Sequence, residues 1–128
     1  MKKTAKILIA EDEQPILKAL SDKFKREGFY VVEAKNGEEA LKKSLKEKPD
    51  LILLDLLMPK MEGMEVMKKL REDEWGKGAK IIILTNLSMD DKIMKGVSAD
   101  EPAYYLMKSD TRIEDIVAKV KEVLASAQ

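Results

Sequence analysis

A doubly wound α/β sandwich, a five-stranded parallel sheet flanked by five helices, is the fold class this sequence predicts. Three observations carry the prediction. Short apolar runs rich in Ile, Leu and Val alternate with segments of helical spacing, five times over. The runs are almost continuously apolar, as strands buried on both faces are, whereas strands wetted on one face alternate. The chain's 128 residues, 45% of them hydrophobic, suffice for one domain whose core needs no covalent staple. Repeated β-α order, with no internal repeat longer than one such unit, puts helices on both faces of a single sheet.

The first strand is Ile7-Leu8-Ile9-Ala10. Leu17, Leu20 and Phe24 form one stripe of the helix that follows, and Gly28 fits its stop. Tyr30-Val31-Val32 is the second strand. Asn36-Gly37-Glu38-Glu39 has capping-box spacing, ahead of a helix marked by Ala40, Leu41 and Leu45. Leu51-Ile52-Leu53-Leu54 is the third strand, and Val66, Met67 and Leu70 mark the third helix. Gly76-Lys77-Gly78 signals a loop before the fourth strand, Ile81-Ile82-Ile83-Leu84. The fourth helical segment is the weakest. It has only Ile93 and Val97 as a stripe, a near-variant cap at Ser88-Met89-Asp90-Asp91, and Gly96, which costs up to about 1 kcal/mol in a helix interior. That segment is expected to be the most mobile. Tyr104-Tyr105-Leu106-Met107 is a weak fifth strand. The last helix carries the strongest stripe, Ile113, Ile116, Val117, Val120 and Leu124, behind a capping-box spacing at Thr111-Arg112-Ile113-Glu114. Residues 1–128 read as a single domain with no linker and no output module.

Composition removes whole classes of function. There is no cysteine, so disulfides, zinc-thiolate sites and thiol nucleophiles are excluded. There is no histidine, which removes imidazole acid-base chemistry and His-ligated metals. Lys plus Arg is 24 and Asp plus Glu is 24, and a formal charge of zero argues against binding nucleic acid by bulk charge. The lysines at 42, 43, 46, 48, 68 and 69 are interleaved with acids and read as solvated helix faces. The apolar run after Met1-Lys2-Lys3 is too short for a signal core, and no stretch approaches a membrane span. A cytoplasmic chain without membrane contact is therefore expected. Its chemistry must come from carboxylates, Lys, hydroxyls, backbone groups or a hard metal.

In open parallel α/β sheets function collects beyond the carboxyl ends of the strands. After the first strand come Glu11, Asp12 and Glu13; after the third, Asp55; after the fourth, Thr85; after the fifth, Lys108. If strands one and three are neighbours, Glu11, Asp12 and Asp55 crowd one pocket. Two such charges 5 Å apart repel by about 3 kcal/mol at an effective dielectric of 20. A pocket of that kind holds protons or binds a cation. With oxygen ligands only, Mg²⁺ fits best. A carboxylate so screened can act as a nucleophile toward a phosphoryl donor and form an aspartyl phosphate, with Lys108 and the Thr85 hydroxyl available to hold phosphoryl oxygens.

At this point the chain resembles the response-regulator receiver domains of two-component signalling, over essentially its whole length. Ile7 to Glu13 resembles the first strand and its acidic pair. Pro49 to Pro59, containing Asp55-Leu56-Leu57-Met58-Pro59, resembles the phospho-acceptor strand with its D-x-x-M-P loop, and Gly63 falls at the family's glycine. Ile81 to Thr85 resembles the switch-threonine strand, and Tyr105 to Lys108 the strand of the switch aromatic and the lysine. The resemblance implies a flavodoxin-like sheet of strand order 2-1-3-4-5. It implies that Asp55 accepts the phosphoryl group. Asp12, Asp55 and the backbone carbonyl of Leu57 would bind Mg²⁺, with Glu11 acting through water. Lys108 would pair with the phosphoryl group, Thr85 would move toward it and Tyr105 would rotate inward, repacking the face of helix four, strand five and helix five. A switch of this kind is not an enzyme, beyond catalysing its own phosphorylation and dephosphorylation. Its partners would be a histidine kinase or phosphotransfer protein and a downstream protein target, with no direct nucleic-acid contact. The chain would be a stand-alone regulator, a monomer or weak homodimer.

Several residues depart from the family pattern. Ser109 stands where a proline with a cis bond usually follows the lysine. A cis bond without proline costs about 3 kcal/mol, so a trans bond or a strained cis bond is expected, with a shifted lysine. Asn86 follows the switch threonine, where a small residue is common, and is expected to narrow donor access or add a phosphate hydrogen bond. Asp100-Glu101-Pro102-Ala103 replaces the usual Gly-Ala before the last strand. Leu57 and Leu87, two residues beyond Asp55 and Thr85, cannot orient a water, and slow self-dephosphorylation is expected. The rival readings are a receiver-like binding scaffold that is never phosphorylated, a Mg²⁺-dependent phosphatase and a flavin-binding relative. The phosphatase wants a second Asp where Leu57 stands. The flavin protein wants a phosphate loop where Glu11-Asp12-Glu13 would repel one. Met58, Met61, Met64 and Met67 recur at steps of three, and apolar packing accounts for them better than a copper site does. Trp75 reads as a surface or lid residue.

Overall fold

The computed structural model describes residues 4–86 and 102–125. Its strands are β1 (Lys6–Ala10), β2 (Tyr30–Ala34), β3 (Leu51–Leu54), β4 (Ile81–Thr85) and β5 (Tyr104–Met107). They form one parallel sheet in the order β2-β1-β3-β4-β5. The helices are α1 (Gln14–Arg26), α2 (Gly37–Glu47), α3 (Gly63–Glu72) and α4 (Ile113–Ala125), with 3₁₀ turns at Gly76–Gly78 and Lys108–Asp110. The weak helical segment expected between β4 and β5 lies outside the described residues, together with Leu87, Gly96, Asp100 and Glu101.

Strand alternation feeds two cores, one on each face. Ile7, Ile9, Leu51, Leu53, Ile82 and Leu84 point to one side. There they meet Leu17, Leu20 and Phe24 of α1 and Ile116, Val117, Val120 and Val123 of α4. Leu8, Ala10, Ile52, Leu54, Ile81 and Ile83 point to the other side and meet Ala40 of α2 and Val66, Met67 and Leu70 of α3. Strands fully buried on both faces account for the continuous apolar runs. Met58 and Met67 are buried in the second core, and Met61 and Met64 pack half-buried against it, so the methionine series is packing. Trp75 too packs half-buried on this core, beside the 3₁₀ turn.

The cap of α2 forms as the spacing predicts, with the Asn36 side chain accepting from Glu39 N–H at 2.8 Å. Helix α1 ends in a Schellman motif. Gly28 N–H donates to Lys25, Phe29 N–H donates to Phe24, and Gly28 has φ +94°. The accompanying apolar contact is an edge-to-face pair, Phe24 on Phe29 at 5.5 Å. The box expected at Thr111 does not form. Its hydroxyl donates to the Met107 carbonyl at 2.7 Å, and the first turn of α4 closes on the Arg112 carbonyl, which accepts from Asp115 and Ile116.

Candidate functional site

Register brings the polar residues together. Ala10 lies opposite Leu54, so Glu11 and Asp55 leave the sheet side by side, and Asp55 N–H donates to the Ala10 carbonyl at 3.1 Å. Thr85 lies opposite Met107, so Asn86 and Lys108 emerge next to each other. Each strand ends where its apolar run ends, and the side chains that follow converge above β1, β3, β4 and β5.

Glu11, Asp55 and Thr85 are all buried. The Lys108 ammonium bonds Asp55 Oδ2 at 2.8 Å and makes an ion pair with Glu11; Glu13 stands 4.0 Å away. Asp55 Oδ1 accepts the Leu57 N–H at 3.1 Å, and Glu11 Oε2 accepts the Glu13 N–H at 3.0 Å. Glu11 therefore also touches the lysine directly. Burial pushes the Glu11 carboxyl above its usual value, outweighing the Lys108 hydrogen bond that pulls it down. Burial alone would lower Lys108, but its bonds to Asp55 and Glu11 and their charges raise it. Tyr105 is half-buried against the α2–α3 core, and burial, then the charge of Asp55, raises its phenol.

One carboxylate oxygen each from Glu11, Asp12 and Asp55 lie within 4.8 Å of one another. These are hard oxygen donors, and two of them, Glu11 and Asp55, pair with the Lys108 ammonium. That donor set fits a divalent cation of the Mg²⁺ class. Two further elements hold Asp55 in place. Gly63 N–H donates to the Leu56 carbonyl at 3.0 Å, and a Cβ there would meet the Asp55 carbonyl and lie 2.7 Å from Leu56 Cα. In the loop between them, Lys60 has φ +70° and the Met61 N–H returns to the Pro59 carbonyl at 2.8 Å, a γ-turn. The same carbonyl accepts the Gly37 N–H at 3.3 Å.

The two departures near Lys108 meet each other. The peptide bonds of the described residues are all trans, Lys108–Ser109 included. Ser109 N–H donates to Asn86 Oδ1 at 2.9 Å. Residues so distant in sequence carry no spacing signal for such a bond. Leu57, which cannot orient a water, is 51% exposed beside the site.

The family profile described as the response regulator receiver domain matches residues 7–121. The chain is 36% identical over 123 residues to the alkaline phosphatase synthesis transcriptional regulatory protein PhoP of Bacillus subtilis (strain 168), covering 96% of this chain and 50% of that protein. It is 33% identical over 119 residues to sporulation initiation phosphotransferase F of the same organism, covering 93% of both. Thus it spans about half the length of the first relative and most of the second. A crystal structure of a CheY-like receiver domain protein from Methanospirillum hungatei JF-1 superposes with a TM-score of 0.89 at 28% identity, over 97% of this chain and 96% of that one. Fold, strand order and sequence agree: the chain belongs to the response-regulator receiver family.

Proposed function

We propose that Asp55 accepts a phosphoryl group from a histidine kinase or a phosphotransfer protein, with Mg²⁺ held by Asp12, Asp55 and the Leu57 carbonyl and with Glu11 at its edge. The observation that carries this reading is the buried Asp55 carboxylate, bonded to Lys108 and crowded by two other acids. An Asp55 oxygen forms the new bond to phosphorus. The phosphorus–nitrogen bond of the donor breaks, its electron pair stays on the donor's imidazole, and that nitrogen takes up a proton from water. The chemistry Mg²⁺ supplies when bound is charge compensation between the carboxylates and the phosphoryl oxygens. Lys108 holds Asp55 oriented beforehand, and afterwards can transfer a bond from the carboxylate to the phosphoryl group. Thr85, at the end of β4, offers a hydroxyl to the same group, and Tyr105 is the aromatic whose packing changes with it.

The reading carries a cytoplasmic location and a signal passed by protein–protein contact. Among the described residues no helix is long and apolar enough to cross a membrane. The near-complete coverage of sporulation initiation phosphotransferase F supports a regulator that acts alone, as a monomer or weak homodimer. Detection of the native protein at 14.5 kDa in its own cells is the expected result, and a product of twice that size refutes it. The central test is intact mass after incubation with a small phosphodonor and Mg²⁺, beside Asp55→Asn and a metal-free sample. One added phosphoryl group, absent from both controls, is expected. No adduct in a folded protein overturns the proposal in favour of a binding scaffold.

A further inference from the structure

Lys108 is held from both sides by side-chain-to-backbone hydrogen bonds. Before it, the Met107 carbonyl accepts the Thr111 hydroxyl at 2.7 Å. After it, the Ser109 N–H donates to Asn86 Oδ1 at 2.9 Å, tying the turn to the end of β4. A proline at position 109 has no N–H to give, so this tie requires a residue other than proline there. The lysine between the two ties is the group whose ammonium reaches Glu11 and Asp55.

We infer that Asn86 is a positioning residue. With Ser109 it forms a clamp that holds the trans Lys108–Ser109 segment and so sets the lysine on Asp55. The inference rests on the reading of Asp55 as phospho-acceptor for its kinetic consequence, but not for the clamp itself. It also adds to the role expected of Asn86. The amide oxygen is spent on Ser109, so the residue acts through Lys108.

The experiment is a double-mutant cycle of Asn86→Ala and Ser109→Pro, read by the rate of Asp55 phosphorylation with acetyl phosphate and Mg²⁺. Circular dichroism checks the fold of all four proteins. A side-chain-to-backbone bond of this kind corresponds to about two- to tenfold in rate. Asn86→Ala is expected to slow the Ser109 protein by that factor and to leave the Ser109→Pro protein unchanged, whatever Ser109→Pro does alone. Equal slowing in both backgrounds overturns the clamp, as does no slowing in either. A second readout needs no phosphorylation and no Ser109→Pro variant. By NMR, Asn86→Ala is expected to speed hydrogen exchange of the Ser109 amide and to broaden the Lys108 ammonium signal. If both are unchanged the clamp is refuted. If the parent protein takes no phosphoryl group while these two signals respond, the phospho-acceptor reading fails and the clamp stands.

Discussion

Gly63 offers a sharp test, because two other glycines of this chain, Gly28 and Gly78, serve as controls. A methyl group at Gly63 would lie 2.7 Å from Leu56 Cα and against the Asp55 carbonyl, both backbone atoms, where ordinary contact begins at 3.4 Å. Leu56 Cα must therefore retreat by about 0.7 Å and the Asp55 carbonyl oxygen by more, and overpacking of that kind costs about 1–3 kcal/mol. Alanine regains only a few tenths to about 1 kcal/mol of helix preference. The net loss expected for Gly63→Ala is about 1–2 kcal/mol, which shifts a urea midpoint by about 1 M for a domain of this size. At Gly28 nothing lies within 4 Å, but φ is +94°, so Gly28→Ala costs about 1–2 kcal/mol through backbone conformation alone. Gly78 has open space and no positive φ, so Gly78→Ala is expected to be neutral or to stabilise by up to about 1 kcal/mol. Urea unfolding of the three variants reads these values. Phosphorylation separates the first two. Gly63→Ala shifts Asp55 and slows the reaction, whereas Gly28→Ala, of similar stability, sits at the far end of α1 and leaves the rate unchanged. If Gly63→Ala unfolds no earlier than Gly78→Ala, the account of close backbone approach is wrong.

Three further outcomes are expected. Mg²⁺ at ten times its dissociation constant adds about 1.4 kcal/mol, so thermal unfolding should rise by several degrees, with Asp12→Asn and Asp55→Asn losing the rise. An undiminished rise in both would place the cation elsewhere. Glu27 accepts from Lys121 at 2.6 Å, and that hydrogen bond, with Lys23 nearby, holds its carboxyl below the usual 4.5. A lowered folded-state value means the pairing stabilises above the unfolded value and is lost as pH falls through the folded one. An NMR titration of Glu27 should therefore move upward in Lys121→Ala, and an unmoved curve would sink the attribution. Leu57 is exposed beside Asp55 and cannot orient water, so Leu57→Gln should shorten the lifetime of the phosphorylated form about fivefold, the worth of roughly one hydrogen bond. An unchanged decay would assign the lifetime to other residues.

The central strands were legible because burial on both faces leaves nothing but apolar side chains, as at Ile52 and Ile82. The site was legible because polar residues begin where each buried run stops, at Glu11, Asp55 and Lys108. β5 was faint for the matching reason. It is an edge strand with Tyr104 45% exposed under the Lys119 ammonium, so its run is short and mixed. What could not be read were bonds between distant side chains and backbone. Thr111 has the spacing of a cap, yet its hydroxyl goes to Met107. Asn86 and Ser109 looked like two separate departures and are joined. Arg71 reaches the carbonyls of Gly76 and Ala79, at 2.7 and 2.8 Å, and so closes the turn that Gly76 and Gly78 only suggested. Such bonds depend on where the fold brings backbone groups with no sequence neighbour in common.

The loop from Leu57 to Glu62 is pinned between two bare stretches of backbone. Gly37 is so close to the Met61 carbonyl that no side chain fits on that flank, and Gly63 closes the other against Asp55 and Leu56. For a lineage of such chains, drift in this region is channelled. Residues that point outward, such as Leu57 and Glu62, are free to vary with whatever the site must meet, while the two flanks cannot take up even one carbon. Change in the chemistry beside Asp55 can then accumulate without change in where Asp55 stands.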